Sequence, residues 1–432
     1  MTVRHTPRRT VAVQLPWRLV DRGTRAGVPY SLYESRFKVY DALSSEVRTA
    51  HVQLLVPAGF DPSGNLNATF GQQPPSCVLH LAGTGDHGFQ RRIELGFPLL
   101  KQNISTLVLE SPFYGSRKPA GQKGSKLLSV TDLLLLGLLT ISEGLHLLHW
   151  ASLQGFASLG LCGLSMGGVH ACMLAGLCPL DVALAALLTP RSAAVAYCDG
   201  AMRNAIAWSA LQDVGFDAAR NSIDEVIDDA PVRPEASWQT LQPGGSVSGC
   251  GDHSHDPGVV RVGAHTTSES IQPALQQLRR VLEAFTDIRS YPMPQRPDAI
   301  VLVAAANDAY VSQQSVASLK QHYPNATLRF VPGGHVSAFL TQKPAFRTAI
   351  VESINRELPC CVSPACSLWM PDRQRTTLLL SIPWNTPLYT KRGFVARLPA
   401  PPRHRSPAQT SSWLFDATAA VADASDPKIF LL

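Results

Sequence analysis

The pentapeptide Gly163-Leu164-Ser165-Met166-Gly167 constrains this chain more than any other segment. The apolar residues 156–162 lead into it, and a small-residue amphipathic stretch, 168–175, leads out. That is strand, then G-x-S-x-G, then helix, the sharp turn called a nucleophile elbow. Glycines two residues either side of the serine keep side chains from colliding across so tight a turn, and the serine must accept a strained backbone. Its hydroxyl then projects above the sheet, where the helix N-terminus beneath favours negative charge. Ser165 is the candidate nucleophile.

A serine hydroxyl is inert without a base. Partners in such a fold follow in the order serine, acid, histidine, each on a loop at the carboxyl end of a strand. The apolar strand 299–306 runs into Asn307-Asp308-Ala309-Tyr310-Val311, which sets Asp308 at a strand exit. Asp298 lies at the entrance of the same strand, the wrong end of the sheet. A shorter strand, 326–331, leads into Pro332-Gly333-Gly334-His335-Val336, so His335 follows a glycine turn and precedes another helix. Two other readings stay open for the acid: Asp308 could cap the helix starting near Ser312, and Asp199 sits at an earlier strand exit. Of thirteen histidines, His335 alone combines strand exit, glycine turn and a place after the acid.

The developing oxyanion needs two backbone amides. Met166, next to the serine, supplies one. The other belongs to the glycine-rich turn Ala82-Gly83-Thr84-Gly85-Asp86-His87 after the strand 77–81, with Thr84 the first choice and Gly85 the alternative. Asp86 is expected to cap the helix beginning at Gly88, and His80 to be packed in the core.

Five segments together resemble one eukaryotic group. They are Leu81-Ala82-Gly83-Thr84-Gly85-Asp86-His87, Glu110-Ser111-Pro112-Phe113-Tyr114-Gly115, Gly163-Leu164-Ser165-Met166-Gly167-Gly168, Asn307-Asp308-Ala309-Tyr310-Val311 and Gly333-Gly334-His335-Val336-Ser337-Ala338-Phe339-Leu340. The group is the alpha/beta-hydrolase domain-containing protein 18 family, and the resemblance runs from about residue 75 to 358. It implies an α/β-hydrolase fold and a serine hydrolase with the triad Ser165, Asp308 and His335 acting on lipid acyl esters, anionic phospholipids such as cardiolipin among them. Residues 221–266 and those beyond 358 depart from the pattern, and those before 75 match it faintly.

Alternating strands and helices through the middle of the chain give a mostly parallel sheet covered by helices on both faces. Strands are expected at 77–81, 104–109, 182–188 and 193–197, helices at 88–100, 133–150 and 268–285, and a lid helix around 202–211. Three regions follow: a poorly defined N-terminal segment, 1–45; the hydrolase domain, 46–358, with a flexible insertion at 221–266; and a proline-rich tail, 359–432, expected to be disordered, with ten prolines in 74 residues. The 432 residues, 45% hydrophobic, suffice for one large core.

Net charge is +6, too slight to argue for nucleic acid. Nine cysteines make an odd count; Cys77, Cys162 and Cys172 read as buried apolar residues, and Cys360, Cys361 and Cys366 lack the second half of a zinc pattern. No metal or organic cofactor is implied by triad chemistry. The longest uncharged apolar run, 133–141, falls between Asp132 and Glu143 and is too short to cross a bilayer. The basic N-terminus lacks the apolar core of a signal peptide and reads either as a mitochondrial presequence or as a plain basic end, so the expected setting is intracellular, cytoplasmic or mitochondrial. Arg117 and Lys118, with Lys123 and Lys126, occupy a loop after the strand 104–109, and Arg91 and Arg92 start the helix after the oxyanion turn. Together they are expected to form a substrate-binding basic rim for an anionic head group or membrane surface; an ordinary solvated loop is the alternative. The same triad would serve a thioesterase or peptidase, and a catalytically silent lipid- or protein-binding scaffold could keep the fold.

Overall fold

The computed structural model describes residues 15–38, 46–62, 74–206 and 268–357. A single nine-stranded sheet runs through them in the order β1-β2-β3-β5-β4-β6-β7-β8-β9. The strands are β1 (Arg18–Arg25), β2 (Val28–Lys38), β3 (Thr49–Pro57), β4 (Ser76–Leu81), β5 (Ile104–Leu109), β6 (Leu159–Leu164), β7 (Ala183–Leu187), β8 (Ile300–Ala305) and β9 (Thr327–Val331). The first three and the β3–β5 pair are antiparallel; every pairing from β5 to β9 is parallel. Parallel strands cannot be joined by tight hairpins, so helices α1 (Gln90–Gly96), α2 (Val130–Ser152), α3 (Met166–Leu177), α4 (Ser268–Thr286), α5 (Gln313–His322), α6 (His335–Thr341) and α7 (Lys343–Glu357) accompany them.

Strand parity divides the core. Leu79, Leu81, Leu161, Leu184 and Leu302 face one side, where they pack with Leu147, Leu148 and Trp150 of α2 and Val169, Met173 and Leu174 of α3. Val78, Cys162, Ala185, Val301 and Val303 face the other, against Phe346, Ala349, Ile350 and Ile354 of α7. Alternate side chains point to opposite faces, so central strands buried on both are mostly apolar, and β4, β5, β7 and β8 are buried at every residue, the polar Ser76, His80, Ser105 and Thr106 included.

Several expectations are corrected. The sheet begins at Arg18, well before residue 46, because β2 pairs along its length with β3 and β1 adds to its outer edge. Residues 195–199 form a π-helical turn where a strand was expected. The expected helix 88–100 divides into α1 and a 3₁₀ turn, Phe97–Gln102, closed by Asn103 in the left-handed region. Asp86 caps no helix; its carboxylate pairs with the buried Arg92 at 2.8 Å. The expected lid helix is described only as far as the 3₁₀ turn Ala201–Ala205, and the insertion 221–266, the tail and its cysteines lie outside the described residues.

Helix α2 also exceeds its expected length. Ser129 caps it in a reciprocal box with Asp132, and Glu143, an apparent interruption, is fully buried against Arg117. By length and composition this helix could cross a membrane, with mean hydropathy 1.4, yet 56% of its most apolar window is buried within the fold.

Candidate active site

Ser165 follows β6 directly with φ 55° and ψ −117°, the strained backbone that the elbow demands. A Cβ on Gly163 would collide with the Gly167 carbonyl, and one on Gly167 with the carbonyls of Leu81 and Ala82, so neither position tolerates a side chain. The Ser165 amide donates to the Leu187 carbonyl of β7 at 2.8 Å, tying the elbow to its neighbouring strand. Ser165 makes no side-chain capping bond to α3, which leaves its hydroxyl free to meet another group.

That group is His335. Its Nε2 lies 3.0 Å from Ser165 Oγ, and its Nδ1 lies 2.7 Å from Asp308 Oδ2. The β8 and β9 exits are joined directly: Ala306 N–H donates to the Val331 carbonyl and Asn307 N–H to that of Gly333, at 2.9 and 3.0 Å. This junction brings Asp308 and His335 together. The second oxygen of Asp308 accepts from the amides of Tyr310 and Val311, at 2.8 and 2.9 Å, so the carboxylate is held by its own loop. The Tyr310 ring stacks on the imidazole at 4.9 Å and fixes its plane. Asp308 is almost wholly buried and His335 is 11% exposed, a hydrogen-bonded chain that opens to its surroundings at the serine end. Asp199 is elsewhere, half exposed and paired with Arg279, while Asp298 pairs with Arg296.

Met166 begins α3, and the Thr84 hydroxyl approaches its sulfur at 3.6 Å. Thr84, Ser165 and Met202 border two cavities that meet at the serine. The Gly85 amide is engaged by the Tyr114 hydroxyl.

One cavity, of about 220 Å³, is apolar. Leu134 and Leu138 of α2, Met173 and Leu177 of α3, Phe285 of α4 and Tyr291 line its length. Burial pushes His170, in its wall, down to about 4, so this imidazole is neutral at physiological pH. The other cavity, of about 370 Å³, is mixed in character. Its floor holds His80, pushed down to about 3 by burial and by the Arg92 charge, and Cys162, pushed up to about 12 by burial. Arg91, Lys343, Val336 and Leu340 form its rim.

Of the expected basic rim, Arg91 lines the mixed cavity and is exposed, and the other residues are corrected. Arg117 is 1% exposed and forms a bidentate pair with Glu143 at 2.6 and 2.7 Å, while also donating to the carbonyls of Glu110 and Val47. It holds the loop after β5 to α2 and meets no solvent. Arg92 is buried as well, donating to the carbonyls of His80, Leu109 and Gly88. Lys118 is half-buried and Lys123 and Lys126 are exposed, and none of the three borders either cavity. Lys343 and Tyr310 were the residues missed. Tyr310 stood within the acid's motif, whereas nothing near Lys343 in sequence distinguished it from other surface lysines.

Among the described residues no cluster of three or more metal-ligating side chains occurs. Residues 9–356 match the family model described as alpha/beta hydrolase domain containing 18, and the chain belongs to that family. The chain also matches solved structures at low identity. The chain is similar to TT1662 from Thermus thermophilus (12% identical, 81% of this chain and 100% of that one, TM-score 0.40). It is also similar to the Pyrococcus furiosus esterase Pf2001 (14%, 80% and 94%, 0.36) and to the peroxisomal alpha-beta-hydrolase Lpx1 from Saccharomyces cerevisiae (11%, 81% and 95%, 0.40).

Proposed function

We propose that this member of the alpha/beta hydrolase domain containing 18 family is a serine hydrolase that cleaves a carboxylic ester of a lipid. The observation that carries the reading is the chain from Ser165 through His335 to Asp308, at 3.0 and 2.7 Å, opening on an apolar cavity. Ser165 Oγ attacks the ester carbonyl while His335 Nε2 takes its proton, and the amides of Met166 and Thr84 hold the oxyanion. Collapse of the tetrahedral intermediate returns that proton to the leaving alcohol. A water molecule, deprotonated by the same nitrogen, then releases the acid and restores the serine. Asp308 keeps Nδ1 protonated and so leaves Nε2 available as the base.

The apolar cavity suits the acyl chain and the mixed cavity the alcohol. An anionic phospholipid of the cardiolipin type is the substrate that the family resemblance adds. The test is a series of p-nitrophenyl esters of increasing acyl length. We expect kcat/KM to rise with chain length in the wild type, and Met173→Trp, which fills the apolar cavity, to remove the rise while sparing the acetate. A flat profile in the wild type would refute acyl binding there, and preference for a thioester or peptide of matched length would move the reading to those classes.

A further inference from the structure

Helix α6 begins with the candidate base, His335, and turns Val336 and Leu340 outward, 55% and 62% exposed. Only five large apolar side chains among the described residues stand out in this way, the others being Leu19, Met293 and Phe330. Single exposed apolar residues are ordinary on protein surfaces. These two are distinguished by place, because they are one helical turn apart and border the cavity that reaches Ser165 and His335.

The same rim carries positive charge. Arg91 and Lys343 are both exposed and both line that cavity, and the Arg91 guanidinium lies over the Phe339 ring at 5.5 Å, which holds the cation beside α6. The sole carboxylate lining the cavity, Asp86, is buried and occupied by Arg92. Glu94, whose charge Lys343 also feels, is paired with Arg25 at 2.6 Å. The mouth therefore presents two apolar side chains flanked by two cations, with no exposed carboxylate on its lining.

We propose that this mouth is a docking surface for an anionic lipid bilayer, with Val336 and Leu340 entering the acyl boundary and Arg91 and Lys343 meeting lipid phosphates. Amphipathic surfaces bind membranes through this combination, with buried apolar area giving adhesion to any bilayer and basic residues giving preference for anionic ones. An aqueous active site has no access to an ester sequestered in a bilayer unless its mouth lies at the interface. Docking through α6 sets the mixed cavity directly over the lipid and makes the catalytic histidine's own helix the contact.

Vesicle cosedimentation of the full-length protein tests this, carried out on Ser165→Ala so that binding is read apart from turnover and stands or falls independently of the proposed hydrolysis. Vesicles are phosphatidylcholine, with or without phosphatidylglycerol. Val336→Ser with Leu340→Ser is expected to weaken partitioning to both kinds by about tenfold. Arg91→Gln with Lys343→Gln is expected to weaken partitioning to the anionic vesicles by about tenfold and to abolish its salt dependence, leaving the neutral ones unaffected. Leu19→Ser, on the far edge strand, is the control and should bind as its parent does. Circular dichroism melting establishes that each variant is folded. If the parent fails to bind either vesicle, or if folded variants of both pairs bind as the parent does, this face is occupied by something other than a membrane and the proposal is overturned.

Discussion

Two loops leave the sheet at the same edge and treat their charges in opposite ways. The loop after β8 turns Asp308 toward His335, at the boundary between core and cleft. The loop after β5 carries Glu110 and Arg117 and folds both inward, Glu110 onto His51 and Ser116, Arg117 onto Glu143. A place at the carboxyl end of a parallel strand thus fixes the edge of the sheet and no more. Whether a charge serves the cleft or the framework depends on the partner a distant element brings, a histidine from the neighbouring strand exit in one case and a glutamate buried on α2 in the other.

Removing the charge from the first loop should have the largest effect. Asp308→Asn should leave the protein folded and lower kcat by about 10⁴, since the imidazole is then held in the wrong tautomer. Asp199→Asn breaks only an exposed pair with Arg279 and should change kcat less than about twofold. The reverse ranking would break the comparison at its catalytic end.

In the second loop the loss should appear in stability. Arg117→Ala leaves Glu143 buried without its partner and should cost about 3–5 kcal/mol in denaturant unfolding, while Arg117→Met with Glu143→Leu should recover most of that. A variant as stable as wild type, but with a raised KM for anionic vesicles, would return Arg117 to a substrate-binding role.

Acid sensitivity offers a smaller and sharper contrast. Burial pushes the Glu110 carboxyl up, but hydrogen bonds from His51 and Ser116 outweigh it and hold the group below its ordinary value of 4.5. A carboxylate depressed in the folded state contributes stability above its unfolded value, and that contribution is lost as pH falls through the folded one. Unfolding free energy measured from neutral pH downward should therefore fall below about 4.5 in the wild type, with a shallower fall in Glu110→Gln. Equal slopes would show that the His51–Ser116–Glu110 cluster adds no such linkage.

Where local chemistry decides the structure, the sequence was readable. The β4, β5 and β8 runs are mostly apolar because both faces of the sheet are covered, and the elbow is legible because close backbone approach admits only glycine at 163 and 167. Edge strand β1 is largely exposed, and its arginines and aspartate conceal it; its antiparallel pairing with β2 is what defines it. Arg117 and Arg92 are concealed for a related reason, and Asp86, expected as a helix cap, with them. A charged residue looks solvated unless its partner is known, and the partners lie on α2, in backbone carbonyls, or, for Asp86 and Arg92, on each other. Asp308 and His335 stand out in the sequence as candidate acid and base because both lie beside turns with characteristic residues, though their 2.7 Å contact depends on the β8–β9 junction.

The central claim is that Ser165 is an activated nucleophile, and fluorophosphonate labelling followed by peptide mapping tests it most directly. The account predicts a single adduct on Ser165 in the wild type, much slower labelling of His335→Ala, and no adduct on Ser165→Ala. Equal labelling of Ser165→Ala, or an adduct on another serine in the wild type, would contradict it.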